Sequence, residues 1–335
     1  MTVRERYISC LNFEKPDRLP MMEWAAWWNK TVERWMEEGL EIGPDEKLST
    51  GEALQKQLGL DVHMQIWAGF KTKSTPEPAY HGAPLIESMD DYRRIKHTLY
   101  PQIPIPEENL LRCAEMQKKG EAVFWLTLEG PFWGPRTLLG IENHLYAFYD
   151  EPELMHEIYK DLAAYNKRVY EYVCRYLTPD FMTFAEDMSY NNGPMISEEM
   201  FDEFMLPYYE DMIPAMKKRG TKIFIDSDGD ISKAIDWFVR AGIEGILPLE
   251  RQAGVDLELL RKRHPGFLFI GHFDKMVMPK GEEAMRKEFE RLLPVMRQGG
   301  YIPSVDHQTP PGVSFENYRI YLKLLREYAE KAVRG

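Results

Sequence analysis

Short apolar runs alternate with longer stretches of helical spacing along the whole chain. Runs near residues 20, 63, 125, 183, 224, 246, 268 and 302 read as strands. Ile223–Ile225 is short, apolar and β-rich, the signature of a buried strand, and Ala122–Leu128 (Ala-Val-Phe-Trp-Leu-Thr-Leu) is another. Alternation in Asp61–Trp67 puts Val62, Met64 and Ile66 on one face and His63, Gln65 and Trp67 on the other. Helical spacing predicts helices over Val3–Leu11, Thr31–Glu38, Glu52–Leu58, Asp90–His97, Glu107–Lys119 and Pro152–Leu177. It predicts more from Ser197 towards Lys218, from about Ile231, and over Val255–Arg263, Glu282–Arg297 and Asn317–Val333. Residues 69–86 are irregular, a loop or added hairpin over a site, and Phe132–Arg136 reads as a loop.

Eight strands, each followed by at least one helix, predict an α/β fold. The expected architecture is a (β/α)8 TIM barrel with extra N-terminal helices and loop insertions. No linker or composition shift divides the chain, so residues 1–335 are expected to form one domain. An open doubly wound sheet is the alternative. No Gly-x-Gly-x-x-Gly follows the first strand and no Gly-x-x-x-x-Gly-Lys loop occurs, which weakens a nucleotide-binding reading.

Composition narrows the partners. The 335 residues carry a formal charge of -12, which argues against nucleic acid, whose phosphates need a basic patch. No apolar run is long enough for a membrane span, and the N-terminus lacks an apolar signal core. The three cysteines are scattered and odd in number, as in a reduced cytoplasmic setting. A small-molecule substrate fits this balance best.

Barrel enzymes place their chemistry at the C-terminal ends of the strands. Those ends carry Glu23, Glu129, Glu186 and Asp187, then Asp226 and Asp228, Glu250, His272 and Asp274, and finally Asp306 and His307. A carboxylate at the end of a buried strand is costly unless it is paired, hydrogen-bonded or bound to metal. Two chemistries need such a set. Oxygen and imidazole donors suit a divalent metal with an open position, and Asp226, Asp228 and His307 are the candidate ligands. Paired carboxylates with histidine also suit proton transfer, with Glu186, Asp226, Glu250 and His307 as candidate catalytic groups. The bland alternatives are helix capping by Asp228 or Asp230 and a surface-loop role for His307. For His272 a structural role is the favoured reading. Trp24, Trp67 and Trp133 are candidate pocket-lining residues for a bound cofactor; each is also ordinary core material.

The chain resembles the uroporphyrinogen decarboxylase superfamily, which includes corrinoid- or cobalamin-dependent methyltransferases. The likeness is carried by Glu14-Lys15-Pro16-Asp17-Arg18-Leu19-Pro20, by Gly193-Pro194-Met195-Ile196-Ser197 with Phe201, Phe204 and Pro207, and by Asp226-Ser227-Asp228-Gly229. Gly299-Gly300-Tyr301-Ile302 through His307 and Pro310-Pro311 completes it. It implies a (β/α)8 barrel. It departs from the decarboxylases where their arginine-rich stretch is replaced by Glu23-Trp24-Ala25-Ala26-Trp27-Trp28. The methyltransferases' zinc ligands, a His-x-Cys pair and a later Cys, correspond to Asp226, Asp228 and His307. The resemblance therefore implies metal-assisted methyl transfer between a small methylated compound or folate and a corrinoid on a partner protein, with zinc as the first choice of metal. Decarboxylation of uroporphyrinogen or a smaller carboxylic acid is the alternative, and a non-catalytic tetrapyrrole or corrinoid carrier a third. A homodimer is implied by the likeness alone.

Overall fold

The computed structural model describes residues 1–43 and 51–334. Its strands in chain order are β1 (His63–Ala68), β2 (Val123–Glu129), β3 (Phe181–Ala185), β4 (Ser189–Tyr190), β5 (Gly193–Pro194), β6 (Lys222–Ser227), β7 (Gly245–Pro248), β8 (Leu268–Phe273) and β9 (Tyr301–Val305). The chain divides into two compact units. The first contains Met1–Met64, Met116–Val123 and Gly245–Gly335, and the second Gln65–Glu115 and Phe124–Glu244.

In the second unit the main strands follow the order β1-β2-β3-β6, with β2, β3 and β6 parallel. The registers Glu129↔Ala185 and Ala185↔Asp226 bring three strand ends level. Phe181, Met182 and Phe184 of β3 and Ile223, Phe224 and Ile225 of β6 are fully buried, as apolar runs without alternation require. The polar groups among them are paired. Gln65 donates to Thr127 (2.9 Å), Thr127 shares a hydrogen bond with Thr183 (2.9 Å), and the Trp125 indole donates to Thr183 (2.9 Å). The long helix Pro152–Val173 buries Leu154, Ile158, Leu162, Tyr165 and Val169, one apolar stripe at helical spacing.

In the first unit β7, β8 and β9 are parallel neighbours in that order, with His272 opposite Ser304. The helices Glu282–Met296 and Phe315–Arg334 bury Phe289, Tyr321 and Tyr328 in ring contacts (Phe289 to Tyr328, 5.1 Å between centroids). The N-terminal segment is tied down by charge. Asp61, almost wholly buried, accepts from Arg6 (2.8 Å), Arg18 (2.5 and 2.8 Å) and the Met21 amide (2.9 Å).

Most expected elements form, and four differ. The strand expected at Leu19–Trp24 is buried, extended chain without a ladder. Its backbone hydrogen bonds go partly to side chains instead, the Met21 amide to Asp61 and the Trp24 amide to Ser304. The Phe132–Arg136 loop gives way to a helix that begins at Trp133 and runs to Leu139. The helix expected at Ile231 starts at Ile235, after a turn in which Asp230 accepts from the Ser232 amide (3.0 Å). His272, expected to follow its strand, lies inside β8.

Candidate functional site

The strand ends of the second unit carry Glu129, Glu186, Asp187, Asp226 and Asp228. Glu186 is completely buried. Its Oε2 accepts from the amides of Phe132 (2.7 Å) and Trp133 (3.2 Å), so it caps the helix that starts at Trp133. This long-range cap explains why a segment read as a loop is helical. Gly130 is required for it: a Cβ there would stand 2.1 Å from the Glu186 carboxyl carbon. Oε1 of Glu186 is buried without a hydrogen-bond partner, as is Oε2 of Glu129. The other oxygen of Glu129 accepts from the Trp67 indole (3.0 Å), whose ring is half exposed.

Asp226 is the fifth residue of β6. Its carbonyl accepts from the amides of Glu186 (2.8 Å) and Asp187 (3.4 Å). Asp187 has a left-handed backbone (φ 38°), and its Oδ1 accepts from the Asp228 amide (3.2 Å). Its carbonyl accepts from Arg136 (3.2 Å), whose guanidinium lies 5.1 Å from the centre of the Trp133 ring. Burial pushes Glu186 well above the usual carboxylate range, against its two amide bonds and with Asp187 and Glu129 adding to the shift. Asp226 is also pushed well up, by burial first and then by Asp187 and Asp228. Glu129 is raised by burial, opposed by Trp67 and Lys71. Burial and like charge thus both favour the neutral acids here.

In the first unit Glu23 lies on the extended Leu19–Trp24 chain, Glu250 follows β7, His272 lies inside β8, and Asp306 and His307 follow β9. Glu23 is buried, and its carboxylate accepts from Tyr318 (2.7 Å) and Ser304 (3.4 Å). Burial raises it to about 8 despite those two bonds. The Trp24 indole donates to the Val305 carbonyl (2.7 Å), and its ring meets His307 edge-on at 6.3 Å. His307 and Glu250 are partly exposed. Asp306 is fully buried and raised by burial, with Lys275 opposing. His272 is fully buried and lowered to about 4, chiefly by burial.

The structure therefore brings Glu186, Asp226 and Asp228 together in one unit, with Trp133 on the same cap and Trp67 on Glu129. It places Trp24, Glu250 and His307 in the other. Sequence reasoning noted Glu129, Asp187 and Glu23 at strand ends without giving them a role. The signal was their position; what it lacked was their partners, which are remote in sequence. Among the described residues, no helix is long and apolar enough to cross a membrane.

No curated protein sequence gives a significant match to this chain. Among solved structures it is similar to a B12-independent methionine synthase from Shewanella sp. W3-18-1, at 16% identity over 67% of this chain and 66% of that one (TM-score 0.42). It is also similar to a candidate vitamin-B12-independent methionine synthase from Listeria monocytogenes, at 11% identity over 96% and 97% (TM-score 0.45). Dispersin B aligns at 12% identity over 68% and 77% (TM-score 0.38). Likeness at this level sets neither activity nor substrate. The uroporphyrinogen decarboxylase (URO-D) family profile, in contrast, matches residues 67–328, most of the chain and all the strands from β2 to β9, and the chain belongs to that family.

Proposed function

We propose that this URO-D family member is a group-transfer enzyme that takes a methyl group from a small methylated compound, using a buried carboxylic acid to protonate the atom the methyl leaves. The observation that carries this reading is the pair Glu186 and Asp226, both raised well above the usual carboxylate range. An acid kept neutral near pH 7 can donate a proton, and a general acid contributes roughly 10²–10⁴-fold to rate. The methyl group passes to a nucleophilic acceptor, a corrinoid on a partner protein or a folate. The bond from methyl to the donor heteroatom breaks, the heteroatom keeps the electron pair, and the proton from Glu186 or Asp226 neutralises it. Glu250 is the acid-base candidate of the first unit.

A divalent metal, zinc first, is the alternative occupant of this site: with it bound Asp226 and Asp228 would be ionised ligands and Glu186 would remain the proton donor. Asp226 and Asp228 offer hard oxygen donors, and their mutual repulsion is a feature that a cation would relieve. When bound, it would polarise the leaving atom as a Lewis acid. Metal content of the purified protein beside Asp226→Asn and Asp228→Asn tests those ligands, and His307→Ala tests the imidazole.

The activity test mixes the protein with methylated oxygen, nitrogen and sulfur compounds and free reduced cobalamin, and follows the corrinoid absorbance. Turnover that falls by about 100-fold or more in both Glu186→Gln and Asp226→Asn supports the reading. Wild-type rates in both variants would sink it.

Decarboxylation is the second reading. The same neutral acids could protonate the carbon left behind when carbon dioxide departs. The arginine-rich stretch of the decarboxylases is replaced here by Glu23–Trp28, which opposes a polycarboxylate such as uroporphyrinogen, so a smaller acid is the better candidate. Carbon dioxide release without methyl transfer would make this reading the leading one.

A further inference from the structure

We infer that His272 and Asp306 are positioning residues for Glu250, holding the backbone on either side of it so that its carboxylate is presented in one direction. The inference rests on the proposed acid-base role of Glu250. It goes beyond that role in assigning a task to two buried groups that the reaction does not itself use.

The hydrogen bonds define both sides of the clamp. On the N-terminal side the Leu249 carbonyl accepts from His272 Nδ1 (2.9 Å). On the C-terminal side the Arg251 amide donates to Asp306 Oδ2 (3.0 Å). Glu250 is the one residue between these two anchors. Both anchors come from further along the chain, His272 from β8 and Asp306 from the position just after β9.

The state of the histidine follows from its two partners. A carbonyl oxygen can only accept, so Nδ1 must carry a proton. Arg291 Nη1 lies 3.2 Å from Nε2, and a guanidinium has no acceptor, so Nε2 must be bare. The two demands agree on the neutral Nδ1–H tautomer. Arg291 is itself fixed by Glu288, through Nε (2.9 Å) and through Nη2. Glu288 also accepts from the Asp274 amide (3.1 Å). The second anchor is equally supported, since Asp306 Oδ1 accepts from the Lys275 amide (3.2 Å) and ammonium (3.3 Å).

Backbone geometry shows that the clamp holds something the chain would not adopt freely. Leu249 (φ 65°) and His272 (φ 69°) are both left-handed, a conformation that non-glycine residues take rarely and that persists where surrounding contacts impose it. Gly271 (φ 112°) lets the two strand ends approach, because a Cβ there would stand 2.1 Å from the Pro248 carbonyl oxygen. Leu249, His272 and Asp306 are all fully buried, whereas Glu250 is partly exposed. A rigid, buried support under an exposed carboxylate is how a reacting group is held to a narrow range of directions.

The test uses the full chain and two readouts. Hydrogen–deuterium exchange is followed on peptides covering residues 248–252, and turnover is followed with the cobalamin assay. His272→Leu is expected to speed exchange there by about tenfold or more. It should lower kcat by about tenfold while KM stays within about twofold, as for loss of positioning rather than binding. His272→Asn, which keeps an amide donor near the Nδ1 position, should recover most of both. Combined with Glu250→Gln, the loss in turnover should not add, because both changes disable one unit. Wild-type exchange at 248–252 in a folded His272→Leu protein overturns the proposal, as do additive losses. If His272→Leu does not fold, Arg291→Met at a part-exposed position removes the donor to Nε2. Nitrogen-15 spectra should then show His272 leaving the pure Nδ1–H state, and a wild-type ring already in the Nε2–H form overturns the proposal. If the wild type turns over no donor, the methyl-transfer reading fails, and exchange alone still decides the clamp.

Discussion

Replacing Glu23 by glutamine should make the protein more stable at neutral pH, and the size of the effect follows from one buried carboxyl. Glu23 is 4% exposed and raised by burial from 4.5 to about 8. Tyr318 and Ser304 donate to it, while Tyr318 accepts from the Trp27 indole (3.0 Å) and Ser304 from the Trp24 amide (3.3 Å). In the unfolded chain this carboxyl loses its proton near 4.5, and in the folded chain near 8. Between those values the folded state holds about one proton more, so stability falls with rising pH by ~1.4 kcal/mol per unit. The contribution is fully present below 4.5 and is lost as pH climbs through about 8. From about pH 5 to about pH 7 the loss approaches 3 kcal/mol as an upper figure. Glutamine has no proton to lose; its Oε1 can keep the Tyr318 bond, and its NH2 donates to Ser304 Oγ in place of accepting from it. Urea unfolding across this range should therefore show a midpoint for Glu23→Gln that falls less with pH than the wild-type midpoint, by the equivalent of about one proton. The other raised carboxyls contribute equally to both proteins and cancel in the difference. Parallel pH curves, or a variant less stable than wild type near pH 7, would refute the reasoning.

Other changes have equally definite expectations. Gly130→Ala places a methyl group in the volume of the Glu186 carboxyl and should cost about 1–3 kcal/mol, read as a lower melting temperature with lost helical signal; an unchanged melt would mean that Glu186 is not seated as described. Asp61→Asn removes the charge that Arg6 and Arg18 share and should cost about 3 kcal/mol in urea unfolding, because the largely buried Arg18 guanidinium loses its counter-charge while Arg6 keeps Asp17; a loss below about 1 kcal/mol would place the Arg18–Asp61 pair among ordinary surface ion pairs.

Most of the helices and seven of the eight expected strands were legible because their signal is local. The apolar run of Val123–Glu129 and the stripe of Pro152–Val173 need only neighbouring residues to declare what they bury. Glu129, Glu186, Asp226, Glu250 and Asp306 were legible as strand-end groups for the same reason, whereas Glu23 lies on chain that forms no strand and His272 inside β8. That sequence pattern determined the α/β class and the element order, and the family profile agrees with that class.

What each group does was decided by tertiary structure. Glu186 caps a helix that begins 53 residues earlier in the chain, which no local pattern of Phe132–Arg136 could reveal. Glu23 takes its hydrogen bonds from Ser304 and Tyr318, 281 and 295 residues away. Leu19–Trp24 has the apolar pattern of a strand, yet its Met21 and Trp24 amides go to the Asp61 and Ser304 side chains rather than a ladder. His272 is neutral in one tautomer because a carbonyl from residue 249 and a guanidinium from residue 291 make opposite demands on its two nitrogens. Periodicity reports what a residue's neighbours bury, whereas proton affinity and hydrogen bonding depend on groups that meet only when the chain is folded.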